Sequence, residues 1–159
     1  MAVDYFLKLD SVKGESTDAK HKDEIDVLSW SWGVNQTGTS SYGGGSGAGK
    51  ANFQDVSFVH RIDKASPRLA QICATGEHIK SAQFVARKAG KEQQEYMVWK
   101  FTDLLVTAVQ PSGSHAEDMP METVTLNYSK IEYEYKPQKP DGTLEGGVKF
   151  TYDLKQNKQ

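Results

Sequence analysis

The stretch from Gly44 to Lys50 has the spacing G-x-x-x-x-G-K, which in phosphate-binding loops cradles a nucleotide. That chemistry needs Ser or Thr next, to coordinate magnesium, and a helix whose N-terminal dipole holds the phosphate. Here Ala51 comes next and residues 53–62 alternate as a strand, so the segment reads as a flexible loop. The other reactive side chains lead no further. His21, His60, His78 and His115 are scattered without metal-ligand spacing, and His60, on an apolar strand face, reads as a satisfied core residue. Cys73 shares a helix face with Leu69 and Ile72 and reads as a small buried hydrophobe. Glu132 and Glu134 mimic a carboxylate pair, but without an apolar pocket to raise one pKa they read as a solvated or interface face. Asn35-Gln36-Thr37 and Asn127-Tyr128-Ser129 match the glycosylation sequon, which means little without a secretion signal. No catalytic, cofactor-binding or metal-ligating residue is assigned.

A different kind of surface stands out. Ser29, Ser31 and Asn35 on one strand, with Thr123, Thr125 and Asn127 on another, are rich in hydroxyls and amides and poor in charge. A solvated sheet more often carries Lys and Glu there, so this pattern points to a subunit interface or the wall of a wet channel. Thr is also a good strand former, which would explain part of the pattern by itself.

The elements that carry these residues are mostly strands. Leu28, Trp30, Trp32 and Val34 alternate with Ser29, Ser31, Gly33 and Asn35; Val56, Phe58, His60 and Ile62 repeat the period, as do Val148, Phe150, Tyr152 and Leu154. Further strands are expected at 4–9, 79–88 and 95–109. From Glu122 to Tyr135 the apolar phase changes between Tyr128 and Ile131, predicting a β-bulge near Ser129-Lys130; a second slip is expected near Asp103. Two bent strands favour a barrel. Ser66 as cap, Pro67 in the first turn and Gly76 as terminator predict one short helix over about 67–75, plugging the barrel's side or end. Residues 11–24 read as a charged loop. Residues 37–52 form a long Gly/Ser-rich insertion that a partner would have to order.

Composition bounds the alternatives. The 159 residues suit one domain, 1–159, and 37% hydrophobic content suffices for one core. Nineteen basic and 21 acidic residues nearly cancel, so no nucleic-acid partner is indicated. One cysteine excludes an intramolecular disulfide and fits a reducing cytoplasm. The N-terminus lacks a secretory signal pattern, and no stretch approaches the length of a membrane helix.

Several segments then join. Gly14-Glu15-Ser16, His21, Glu24-Ile25-Asp26 and Trp30-Ser31-Trp32-Gly33 resemble the opening of the Hcp family, the tube proteins of bacterial type VI secretion. The likeness continues through Gly47-Ala48-Gly49-Lys50, Ile62 to Pro67, Gly76, Arg87-Lys88-Ala89-Gly90, Glu122 to Asn127, Tyr135 to Lys139 and Asp141-Gly142. It is colinear over essentially the whole chain. The resemblance implies an all-β fold, a β-barrel of two antiparallel sheets with one short flanking helix. It implies homohexameric rings that stack into a tube, no enzymatic activity and no cofactor. The implied partners are further copies of itself, the spike, sheath and baseplate of the apparatus, and small effectors carried in the ring. The implied location is the bacterial cytoplasm, then the exterior or a target cell, without a cleaved signal peptide. On this basis Ser29, Ser31 and Asn35 are expected on the lumen wall, with Thr123, Thr125 and Asn127 beside them. Thr39, Ser40, Ser41, Tyr42, Gly43, Gly44, Gly45, Ser46 and Gly47 are expected to reach a neighbouring ring, and Gly90, Lys91, Gln156 and Asn157 to add to that contact. Two rivals stand beside this reading. One is a lone calycin-like barrel holding a small ligand, which three Trp, six Phe and seven Tyr would tend to fill. The other is an enzyme, for which the chain leaves no room after a last strand ending near Leu154.

Overall fold

The computed structural model describes residues 2–36, 38, 50–90 and 93–159. Its strands are β1 (Val3–Leu9), β2 (Ile25–Val27), β3 (Ser29–Ser31), β4 (Val34–Asn35), β5 (Asn52–Phe53), β6 (Val56–Arg61), β7 (Ile79–Lys88), β8 (Gln94–Ser112), β9 (Met121–Tyr135) and β10 (Val148–Asp153). One helix, α1 (Ala65–Thr75), lies between β6 and β7. Eight strands form one antiparallel sheet in the order β2-β1-β7-β8-β9-β6-β3, with β10 also on β9; β4 and β5 make a separate ribbon.

The sheet curls into a nearly closed barrel because two segments serve both sides of it. The β8–β9 hairpin is the first. The N-terminal half of β8 pairs with β7 and the C-terminal half of β9 with β10, while the N-terminal half of β9 pairs with β6. Residues 25–31 are the second: β2 pairs with β1, the chain turns at Leu28, and β3 pairs with β6. The Leu28 amide bonds the Val59 carbonyl at 2.8 Å, so the turn itself is held to β6.

The expected phase slip on β9 is present, but its origin is different. Tyr128 and Ile131 are both buried, as are Phe101 and Leu104 on β8. The pairing register is nevertheless unchanged across the slip, with Thr102 opposite Lys130 and Leu104 opposite Tyr128. Both strands kink together at the facing pair Asp103 and Ser129, so neither inserts a residue. Asp103 takes a left-handed backbone (φ 54), and its carboxylate accepts bonds from Ser129 Oγ (3.1 Å), Lys155 Nζ (2.9 Å) and His78 Nδ1 (2.7 Å). Those bonds, Lys155 foremost, hold the carboxyl well below the usual range. The register shift on this pair lies further on, between Val106 and Ala108, where Thr107 is the extra residue.

Three other expectations are corrected. The strand read over 28–35 is broken, because Leu28 and Val34 are 44% and 46% exposed and only Trp30 and Trp32 turn inward. Ser66 does not cap the helix; it is buried in the first turn, and the Asp63 carboxylate accepts the Ala65 amide at 2.9 Å instead. The helix therefore starts two residues early, and it ends at Gly76 (φ 71) as expected. Residues 11–24 are a loop, but a pinned one. The strap folds over the outer side of β1 and β7, where Phe6 stacks on His21 at 4.3 Å and lies under the Arg87 guanidinium at 4.8 Å. Arg87, 2% exposed, donates to both Asp18 oxygens at 2.9 and 2.7 Å. At Gly14 a Cβ would fall 2.5 Å from the Glu24 carbonyl, so only glycine lets the two strap arms meet.

Inside the barrel Trp30, Trp32, Phe84, Trp99, Phe101 and Leu126 fill the interior, leaving a void of only about 10 Å³. Leu69 and Ile72 of α1 enter the same core, and Cys73 packs partly buried beside them. His60 is fully buried on β6, its Nε2 2.9 Å from Glu122 and its Nδ1 3.7 Å from Asp63.

Two pH dependences of opposite sign follow. Burial disfavours the charged His60, but the neighbouring Asp63 carboxylate and the hydrogen-bonded Glu122 outweigh it and raise its pKa. Its contribution is therefore full below the ordinary imidazole range and fades as pH rises through the folded value. The Arg87 hydrogen bond holds Asp18 well below the carboxylate range, so that contribution is full at neutral pH and is lost on acidification below it. In urea titrations across pH, His60→Gln should flatten the alkaline side of the stability curve and Asp18→Asn the acid side. Arg87→Ala should cost about 2–3 kcal/mol at neutral pH, short of a fully buried pair because Asp18 is partly exposed.

Candidate functional site

The barrel has two broad outer faces of unlike chemistry. β3, β6, the first half of β9 and the second half of β8 form one. Their pairings place Ser29, Val59, Thr123 and Gln110 in one cross-strand row. The next row is Ser31, Ser57, Thr125 and Ala108, and Asn127 follows opposite Leu105. The sheet thus brings Ser29, Ser31, Thr123, Thr125 and Asn127 onto one outward surface, because inward neighbours such as Phe58, Val124 and Leu126 hold the alternate positions in the core.

Asn35 is not part of that surface. It sits on β4 opposite Asn52, in the ribbon beside the barrel. This ribbon frames the insertion at 37–52. Its Phe53 packs on Tyr152 at 4.6 Å and on Phe150 at 6.5 Å, which ties the base of the insertion to β10. Thr39, Ser40, Ser41, Tyr42, Gly43, Gly44, Gly45, Ser46 and Gly47 lie outside the described residues, as does Lys91.

Gly90 and the tail residues Gln156 and Asn157 are exposed and stand at opposite ends of the barrel. Gly90 follows the C-terminal end of β7, whereas the tail starts beside His78 and Asp103 at the N-terminal end of that strand. Ten residues of strand separate the two ends, about 30 Å.

The alternation could have supplied more of the surface. Ser57, Val59 and Arg61 are the outward phase of β6, and Thr107 and Gln110 come from β8 once the bulge is placed. Asp55, just before β6, accepts Asn127 Nδ2 at 2.9 Å and Thr107 Oγ1 at 3.1 Å, locking three segments together. Beneath them Tyr128 donates to the Gln54 carbonyl at 2.9 Å and accepts from the Trp32 indole. Burial pushes its phenol up to about 12, so it stays protonated and keeps donating.

The second face, from β1, β7, the first half of β8, the second half of β9 and β10, is charged. Lys8, Gln83, Lys100, Glu132 and Thr151 form one row across five strands, beside an open hollow of about 450 Å³. Glu132 pairs with Lys149 at 3.0 Å. Among the described residues, no group of His, Cys, Asp or Glu is arranged to hold a metal ion.

The family model described as type VI secretion system effector, Hcp, matches residues 6–135. Protein hcp1 of Pseudomonas aeruginosa is 48% identical over 161 residues, covering 100% of this chain and 99% of the relative. A solved type six secretion system protein superposes with a TM-score of 0.93 at 32% identity, covering 99% of both chains. Hcp1 from Salmonella typhimurium superposes at 0.82 with 45% identity and the same coverage.

The Tyr128 network is the support of the uncharged face, and one atom tests it. Tyr128→Phe leaves the Trp32 N–H and the Gln54 carbonyl without their partner, which should cost about 1–3 kcal/mol in urea unfolding while the far-ultraviolet circular dichroism stays native.

Proposed function

The chain belongs to the Hcp family of type VI secretion proteins, and from that premise we propose that it is the structural subunit of the secretion tube. Six copies close a ring, rings stack into a tube that sheath contraction expels, and small effectors ride in the lumen. The protein is made in the cytoplasm and leaves through the apparatus with the spike, without a cleaved signal peptide. Its role is mechanical and not catalytic.

The observation that carries this reading is the pair of unlike faces. A wet channel that must pass varied cargo needs hydrogen-bonding capacity without strong charge selection, and the face of Ser29, Ser31, Ser57, Thr123, Thr125 and Asn127 supplies it. Serine and threonine hydroxyls both donate and accept, so they adapt to many partners. Ring closure by one repeated heterologous contact gives a cyclic assembly from identical chains. The opposite placement of Gly90 and the tail favours head-to-tail stacking, in which one end of a ring meets the other end of the next. The ribbon of β4 and β5 gives the stacking insertion a fixed base. Asn35, set on that base, is assigned to the contact region and not to the lumen wall.

A barrel that binds a small molecule in its interior is disfavoured by the packing. Such sites take about 300 Å³ or more, against a void here of about 10 Å³.

Native mass spectrometry should show a hexamer at micromolar concentration, and a stable monomer would overturn the reading. Ser31→Gln should reduce co-purifying effector without changing the ring. Deleting Tyr42 to Gly49 should leave hexamers and abolish their association into tubes, read by electron microscopy; tubes in that variant would remove the insertion from the stacking contact.

A further inference from the structure

Among the described residues, full charges on the uncharged face occur at its two ends. Along β6 the outward positions run from Asp55, just before the strand, through Ser57 and Val59 to Arg61. Six residues at about 3.3 Å each place the carboxylate and the guanidinium about 20 Å apart. Between them the rows contribute Ser29, Ser31, Thr123, Thr125 and Gln110, none of them ionisable.

The two ends are not equivalent. Asp55 already shares both oxygens with Asn127 and Thr107. Arg61 is exposed, and among the described residues its guanidinium has neither a hydrogen-bond partner nor a carboxylate within ion-pair distance. Asp63 follows two residues later but is committed to the Ala65 amide and to His60, and the nearby Glu122 is buried against His60. The row that contains Arg61 continues with Met121 and Ser112, and the next row adds Thr123 and Gln110, neutral groups that can flank an anion held by the guanidinium.

Resting on the reading of this face as the channel wall, we propose that Arg61 is an anion-recognition residue that selects cargo presenting carboxylates. The planar guanidinium binds a carboxylate through two parallel N–H donors, and the surrounding hydroxyls and amides hold neutral groups beside it. In a ring the six copies of Arg61 stand at one level, so a cargo protein with several acidic side chains engages more than one of them. The face is then polar along its length, with recognition of charge at the Arg61 end and adaptable hydrogen bonding along the rest.

The test uses the assembled ring and a fluorescein-labelled peptide of about fifteen residues, glutamates spaced by serines, beside the same peptide with glutamines. By fluorescence anisotropy the glutamate peptide should bind about five- to tenfold more tightly in about 0.05 M salt, with the preference collapsing in about 0.5 M salt. Arg61→Gln should abolish the preference, and Arg61→Lys should retain part of it. A preference unchanged in Arg61→Gln overturns the proposal. So does an oligothymidylate of similar length that displaces the glutamate peptide at equal or lower concentration, since nucleic acid would then be the occupant. Loss of ring-to-ring association in Arg61→Gln, with peptide binding intact, assigns the residue to a second copy of the chain and also overturns it. Ser31→Gln separates this inference from the reading beneath it. If it weakens both peptides while Arg61→Gln changes nothing, the channel stands and the anion site falls. If it changes neither while Arg61→Gln removes the preference, the anion site stands and the channel placement falls.

Discussion

The β8–β9 hairpin is the constraint on which the rest of the molecule depends. Among the described residues, its two strands, 19 and 15 residues long, are the elements that contribute to both outer faces. A strand that stayed straight over that length would make a flat sheet, with no enclosed core and a single chemistry on each side. The coordinated kink at Asp103 and Ser129 turns both strands at once, so the inward phase is kept on each side of the corner. Hydrogen bonds to Asp103 from Ser129, His78 and Lys155 fix that left-handed residue by tying β8 to β9, to the start of β7 and to the tail. The Thr107 bulge then bends β8 again before its pairing with the second half of the barrel ends.

Closure by the hairpin and by residues 25–31 leaves two outer surfaces of unlike chemistry, and the chain keeps them distinct by composition. On the charged side, Lys8, Lys100, Glu132 and Lys149 come from four strands with neutral Gln83 and Thr151 between them, and the strap of residues 11–24 covers part of the sheet through Phe6 and Arg87. On the other side, small hydroxyl residues face outward from strands whose inward neighbours are large. The single carboxylate there is drawn into a three-way hydrogen bond by Thr107 and Asn127, which joins β8, β9 and the approach to β6. The polar wall is thus braced from within its own surface as well as from the Tyr128 layer below.

Much of this was legible in the sequence, for physical reasons that differ by element. The alternation in 56–62 and 122–135 carries strand and facing together, because one face is buried and the period is two. The barrel followed from the phase change between Tyr128 and Ile131. What alternation cannot show is pairing, so the slips near Ser129 and near Asp103 read as two separate features, when the two residues face each other and turn together. Residues 28–35 misled because Leu28 and Val34 keep the apolar phase in sequence while the backbone turns at Leu28 and leaves the sheet at Trp32. That is why Asn35 lies apart from Ser29 and Ser31. The strap was read as a loop for its charge; its order comes from a buried Arg87 more than sixty residues away from Asp18, a contact no local pattern encodes. Arg61 was in phase with Ser57 all along, and its significance depends on which charges its neighbours lack.

The three tryptophans sit in one cluster, with Trp99 5.6 Å from Trp30 and 4.9 Å from Trp32. Trp32 is fixed through its indole to Tyr128, and Trp99 is stacked on Tyr133 at 4.0 Å. Every indole in the chain therefore packs against the same interior, Trp99 buried and Trp30 and Trp32 partly so, and none stands on either outer face. Intrinsic emission from this protein is in effect a single optical gauge of whether the barrel is closed. It will follow unfolding faithfully, and it will stay nearly silent while surfaces on the outside dock, stack or release their partners.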